Sequence, residues 1–397
     1  MNPFRPAATI LAILSVLLAA AGADALDTES LKPLIGETDA LLLVNPQNEP
    51  VVSIHADRPL VPASVIKLLT VLAACDRLGP DYRFRTEWFV SPTGDLIVKG
   101  YGDPFLTSEA IREMAEEIAR IRRHFRHLVV DGSFFADSIA IDGIEPDTEP
   151  YNAPVAALSV NFNTVAFQRT AKGEPISPDP DLPLVPFAMQ KIRTCRIASG
   201  RITVAHDGNE ALQYAGEALR AVCRKAGIHF TGTILRAAAD RTQDKLLLSH
   251  HSRWTLEEMA AKLLEFSSNF IANQIFLTMG AEAFGAPATL DKGRRVVEEY
   301  IRAALPGAKI VVVEGSGISR GNRICANDMD AILVRFQPFR RLMRHREGEW
   351  FKTGTMNGIR NRVGFLEDAD GGLWRYVILL NTPGKGAESL LKLIRPE

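Results

Sequence analysis

The chain has 397 residues, with 46 Lys plus Arg against 47 Asp plus Glu and a formal net charge of −1 at neutral pH. That balance leaves no basic excess for nucleic-acid phosphates, so no nucleic-acid partner is expected, and a small or polymeric polar substrate is. Hydrophobic residues at 46% and charged ones at 23% suffice for a packed core, and the length exceeds one ordinary domain, so two are expected, one able to interrupt the other.

Residues 1–25 open with Arg5, run apolar from Ala7 to Ala21 and end in the small residues Ala23-Asp24-Ala25. This is the pattern of a cleavable secretory signal, too short and poorly flanked for a membrane span, and it implies a periplasmic or extracytoplasmic mature chain starting near Leu26. Uncleaved, the same segment is an anchor. The four cysteines, Cys75, Cys195, Cys223 and Cys325, show no zinc-ligand spacing. Export permits a disulfide, with Cys195 and Cys223 the pair that share a segment, while Cys75 in an apolar stretch reads as a small core residue.

After the signal, residues 40–44 and 51–54 read as two strands around the turn Asn45-Pro46-Gln47-Asn48. Pro62 suits the first turn of a helix that runs apolar through Leu72, Ala73 and Ala74 and stops at Gly79-Pro80. From about 89 to 246 short β-like pieces (95–99, 127–130, 155–167 and 201–205) alternate with turns and with helices over 108–123 and 211–226. The five prolines of 175–186 predict a loop, and His250-His251 a solvated turn. Thr255-Leu256-Glu257-Glu258 is a capping box opening a helix, broken at Ser267-Ser268-Asn269 before apolar residues resume helical spacing. Residues 349–355, 362–366 and 374–380 read as strands, the last two joined across 368–372, and 387–394 as a closing helix. Strands at both ends around a helical middle predict one α+β domain made of 26–88 plus 247–397, with a β-rich domain, 89–246, inserted.

Ser64 falls in the opening turn of its helix, where unpaired N–H groups and the positive dipole end favour developing negative charge. Lys67, three positions on, shares its face. A serine attacks a carbonyl only if a neighbour takes its proton, and a lysine can do so once burial and nearby cations bring its pKa from about 10.4 toward 7. Ser64-x-x-Lys67 alone is a weak signal. Two others follow, Ser267-x-Asn269 at an interhelical corner and Lys352-Thr353-Gly354 on a strand whose glycine admits close backbone approach. Their bland readings are a turn and a solvated edge lysine.

In that order, the three motifs resemble the signature of penicillin-binding proteins and serine β-lactamases. More narrowly, the chain resembles the D-Ala-D-Ala carboxypeptidase/endopeptidase family typified by penicillin-binding protein 4, whose members carry a large insertion between the first two motifs. Gly102-Asp103-Pro104-Phe105-Leu106, Tyr151-Asn152-Ala153-Pro154, Glu314-Gly315-Ser316-Gly317-Ile318-Ser319-Arg320 and Lys352 to Gly358 are similar to the family as well. Two departures stand out: Ser-Ser-Asn replaces the usual Ser-Asp-Asn, and Glu314 a common Asp.

The resemblance implies a transpeptidase-like α+β domain and an acyl-enzyme on Ser64, with Lys67 as general base, Ser267 relaying a proton to the leaving D-alanine and Asn269 holding Lys67 and the substrate amide. Lys352, Thr353, Gly354 and Thr355 would bind the terminal carboxylate, Ser64 and Thr355 N–H groups would stabilise the oxyanion, and Arg320 would meet the acidic end of the stem peptide, its bland role being a surface ion pair. The implied partners are peptidoglycan peptides and β-lactam antibiotics, with peripheral association to the cell envelope and no metal or cofactor. A β-lactamase or esterase on the same scaffold is the rival enzyme, although no glutamate can be assigned to activating its water. A non-catalytic cell-wall-binding homologue is the other alternative.

Overall fold

The computed structural model of the protein describes residues 28–396. The expected signal, 1–25, lies outside them. The first hairpin is β1 (Asp39–Val44) and β2 (Pro50–Ile54), and a 3-10 turn, Ala63–Ile66, runs directly into α1 (Lys67–Leu78), which Gly79 ends at φ +85. Next come β3 (Arg85–Val90), β4 (Leu96–Gly100), α2 (Ser108–Ile121) and β5 (Leu128–Asp131), then α3 (Gly208–Lys225), β6 (Ile234–Arg236) and β7 (Lys245–His251). The chain continues with α4 (Leu256–Phe266), α5 (Asn269–Phe284), α6 (Leu290–Ala304) and α7 (Ala326–Phe336). It closes with β8 (Arg344–Arg346), β9 (Glu349–Met356), β10 (Ile359–Glu367), β11 (Leu373–Leu380) and α8 (Ala387–Ile394).

One antiparallel sheet, ordered β8-β9-β10-β11-β1-β2, joins the two ends of the chain. β1 lacks polar alternation because both faces are covered: Leu42 and Val44 pack toward the helical core, Leu41 and Leu43 toward α8. At the centre of the helical core, α5 is buried from Phe270 to Ala281 with apolar residues on every side, the pattern of an internal helix. Fully burying each large apolar side chain contributes roughly 1.5 to 3 kcal/mol. No helix among the described residues is long and apolar enough to cross a membrane.

A second sheet, β6-β5-β4-β3-β7, has its own core with α2 and α3 around Trp88. The expected limits of the inserted segment, 88/89 and 246/247, both fall inside strands that pair with each other from Arg85–His251 to Val90–Lys245. We propose the junction one step outward, at Phe84 and Ser252, where Ser252 N donates to Phe84 O and Phe84 belongs to the first core. This segment carries three helices as well as its strands, so it is mixed rather than β-rich.

Several local expectations change. Residues 155–163 are not strand: Asn161, Phe162 and Asn163 all adopt positive φ, and the strand covers only Thr164–Arg169. Pro186 opens a helix, Pro186–Thr194, because a proline suits a first turn. His250 and His251 sit in β7, paired with Thr86 and Arg85, not in a turn. All four cysteines are free, with Cys223 buried in α3, so the Cys195–Cys223 disulfide is absent.

Candidate active site

Ser64 lies in the 3-10 turn ahead of α1, not in the α-helix itself. Ala63 just before it holds φ +48, a strained angle for a residue with a Cβ. The turn is clamped from the sheet: Asn361 Nδ2 donates to Val61 O and Pro62 O, and Asn381 Oδ1 accepts from Val61 N. Glycines let two further elements close on it. A Cβ on Gly354 would meet Pro62 O at 2.7 Å, and one on Gly317, at φ +83, would overlap Ala63 O. That is the packing reason for the glycine after Lys352-Thr353.

Lys67 is fully buried. Its Nζ contacts Ser64 Oγ at 2.7 Å, Asn269 Oδ1 at 2.9 Å and Ser316 O at 2.5 Å. Burial lowers its pKa from 10.5 to about 7, partly opposed by the Glu314 charge. A lysine with its pKa lowered in this way is suited to accept a proton from the hydroxyl beside it.

Ser267 ends α4 in the left-handed region at φ +55, and Asn269 starts α5 behind the Ser268 N-cap. The αL kink places the Ser267 hydroxyl 2.8 Å from Lys352 Nζ, which also donates to Thr353 O at 2.7 Å. Lys352 is buried on β9, and its pKa falls well below the ordinary lysine value, first through burial and then through the charges of Lys67 and Arg344. The Asn269 amide is engaged at both ends, its Nδ2 donating to Tyr151 O at 3.2 Å.

These residues adjoin a cleft of about 810 Å³ lined by Ser64, Ser267, Asn269, Thr353 and Thr355, with Tyr151, Asn152, Asp142 and Glu145 from the middle of the chain, and by Arg320 and Arg360. Of the expected site residues, Ser64, Ser267, Asn269, Arg320, Thr353 and Thr355 line this cleft, Lys67 and Lys352 reach it through their contacts to Ser64 and Ser267, and Gly354 packs against Pro62. Arg320 donates to Asn357 O and forms no ion pair among the described residues, so the surface ion-pair reading is replaced by a backbone contact. Asp147 caps its own loop, accepting from Glu149 N and Asn152 Nδ2.

Sequence reasoning missed the supports. Asn361 and Asn381 hold the Ser64 turn, and Ser316 offers a backbone oxygen that no side-chain motif reveals. Asp142 accepts from Ser319 Oγ at 2.7 Å, tying a loop of the inserted segment to the Gly315–Ser319 stretch. The one available signal was Glu314 just before Gly-Ser-Gly, since a carboxylate there can gather the loop's N–H groups.

The chain is similar to known proteins over most of its length. It is 28% identical to a D-alanyl-D-alanine carboxypeptidase of Actinomadura sp. (strain R39) over 321 residues, 69% of this chain but only 60% of that protein's length. It is 23% identical to the D-alanyl-D-alanine carboxypeptidase DacB of Haemophilus influenzae over 405 residues, covering 84% of this chain and 83% of that one. In structure it superposes on penicillin binding protein 4 of H. influenzae with a TM-score of 0.76, at 20% identity, over 92% of this chain and 97% of the other, and on the β-lactam complex of that protein with 0.72. These superpositions establish the fold. The sequence model of the D-Ala-D-Ala carboxypeptidase 3 (S13) family matches residues 23–201 and 197–342, and the chain belongs to that family.

Proposed function

We propose that the protein is a serine-type D-Ala-D-Ala carboxypeptidase acting on peptidoglycan stem peptides. The observation that carries this reading is the 2.7 Å contact between Lys67 Nζ and Ser64 Oγ at the floor of an open cleft. The names of the two sequence relatives support the substrate class.

In the proposed reaction neutral Lys67 takes the Ser64 proton as Oγ attacks the penultimate D-alanine carbonyl. The oxyanion is met by the Ser64 and Thr355 N–H groups, each such donor typically worth about 3 to 4 kcal/mol. The C–N bond then breaks, and Ser267 passes a proton to the departing D-alanine amine. Lys352 supplies positive potential for its carboxylate, with Thr353, Thr355 and Arg320 as further contacts. Asn269 keeps Lys67 in place. Water hydrolyses the Ser64 ester and returns the enzyme. A β-lactam enters by the same attack on its ring carbonyl, in line with the β-lactam complex known for the H. influenzae protein. Residues 1–25 support export, which puts the enzyme where its polymer is.

The test is intact-mass measurement after incubation with a labelled penicillin, together with D-alanine release from a muropeptide pentapeptide. Wild type gains one covalent adduct and releases D-alanine, and Ser64→Ala does neither. An adduct that persists in Ser64→Ala overturns the reading. Rapid turnover of the penicillin would instead favour the β-lactamase alternative, and a cross-linked muropeptide in the same assay reads endopeptidase cleavage.

A further inference from the structure

The peptide group between Ser316 and Gly317 has a charged partner at each end. Its carbonyl oxygen accepts from Lys67 Nζ at 2.5 Å, and its N–H donates to Glu314 Oε1 at 2.6 Å. Glu314 is fully buried. Oε1 also accepts from Ser319 N and Asn322 Nδ2, while Oε2 accepts from Ser316 N, Ser316 Oγ and Asn273 Nδ2. Six donors and no acceptor form the partner set of an ionised carboxylate. All six are neutral.

The negative charge of Glu314 is therefore not cancelled by a contact ion pair, and the cation one amide away is Lys67. A carboxylate on the N–H side polarises that amide and makes its oxygen a better acceptor. The bridge is also held in place: Thr70 Oγ1 donates to Gly315 O, Gly315 N donates to Asn273 Oδ1, and Gly317 is pressed against Ala63. Its geometry is thus set by α1, α5 and the Ser64 turn together.

We propose that Glu314 is the positioning residue for Lys67, acting through this single peptide group: it aims the carbonyl that Lys67 donates to and supplies the countercharge that meets the ammonium formed when Lys67 takes the Ser64 proton. The inference rests on Lys67 being the base of acylation. The charges facing Lys67 are Glu314 from this loop and Lys352 from β9, with Arg344 behind Lys352. Glu314 is the influence that raises the Lys67 pKa against the pull of burial.

The test is the second-order rate of labelling by a fluorescent penicillin between pH 5 and 9 for wild type, Glu314→Gln and Ser316→Ala. Removing the Glu314 charge lets Lys67 lose its proton more easily, so the acid limb of Glu314→Gln moves down by about one pH unit while the plateau rate falls. Ser316→Ala removes a hydroxyl dipole that screens the carboxylate, so more of its field reaches Lys67 and the acid limb moves up. The charge of Lys352 also faces Lys67 and bears on the midpoint, so the opposite signs of the two shifts, not their size, decide the matter. Limbs that stay put, or shifts of the same sign, overturn the proposal, since a merely structural role slows labelling without moving the limbs in opposite directions. If Glu314→Gln does not fold, Ser316→Ala decides alone: an upward shift supports the proposal, and no shift or a downward one overturns it. A wild type that takes no label sinks the functional reading and this proposal with it, whereas a labelled wild type with unmoved variant limbs sinks only the proposal.

Discussion

Lys352 and Ser267 stand 85 positions apart in the sequence, yet Lys352 Nζ donates to the serine hydroxyl at 2.8 Å. The contact exists because Ser267 takes a left-handed turn at the end of α4, which aims its side chain at β9 instead of along the helix.

A left-handed backbone costs a residue with a Cβ about 1 to 2 kcal/mol, a cost glycine escapes. Ser267→Gly should therefore melt at or above the wild-type temperature while penicillin labelling drops at least ~100-fold, the scale of lost acid–base assistance. Ser267→Ala should lose the same rate without the gain in melting temperature. Labelling of Ser267→Gly at the wild-type rate would remove Ser267 from proton transfer.

The lowered Lys67 pKa makes stability depend on pH with a defined sign. Between about 7, its folded value, and 10.5, the ordinary one, the unfolded chain binds the extra proton, so stability rises with pH across that window. Below it both states are protonated and the cost of burying the charge is fully present. Lys67→Met should be more stable than wild type near pH 7 by roughly 2 to 4 kcal/mol after its lost hydrogen bonds are counted, and the gap should shrink toward pH 10. Urea melts at pH 7 and pH 10 check this, and a gap that widens with pH contradicts it. Wild-type labelling should rise with pH through about 7.

Gly354→Ala places a methyl group 2.7 Å from Pro62 O and 3.2 Å from the Ala63 Cβ, neither of which belongs to a flexible side chain. Overpacking of this kind costs about 1 to 3 kcal/mol. Because β9 must move away from the Ser64 turn, labelling should fall ~100-fold or more, a loss typical of ångström-scale misplacement. Unchanged labelling would mean that the two elements need not touch.

At the far end of α4 the Thr255 side chain caps Glu258 N at 3.2 Å while Glu258 caps Thr255 N in return. Thr255→Ala should lower stability by about 1 kcal/mol in denaturant melts and leave the labelling rate unchanged.

The sequence made the candidate site residues legible because each broke a local pattern. Ser64 sat at a helix start, Ser267-Ser268-Asn269 interrupted an apolar stripe, and Lys352 preceded a glycine in a strand. Ser316 stayed hidden because its contribution is a carbonyl, which every residue has. The misreading of 155–163 has a similar cause: its apolar residues suggest strand, but the positive φ of Asn161, Phe162 and Asn163 is a backbone property that no apolar pattern encodes. His250-His251 looked like a turn from polarity alone, although its backbone pairs with β3. Asn361 and Asn381 are ordinary polar residues until the fold brings Val61 and Pro62 beside them.

The tie between Asp142 and Ser319 reaches beyond its single hydrogen bond. Gln274 of α5 donates to Gly102 O and Ala156 O, and Asn269, on the same helix, to Tyr151 O, so three further hydrogen bonds join the intervening segment to α5. Excising that segment to make a minimal hydrolase would strand a buried glutamine amide and free the loop that cradles the lysine. Shortened versions of this scaffold will need replacement partners for Ser319, Gln274 and Asn269 before their chemistry can be compared with the parent.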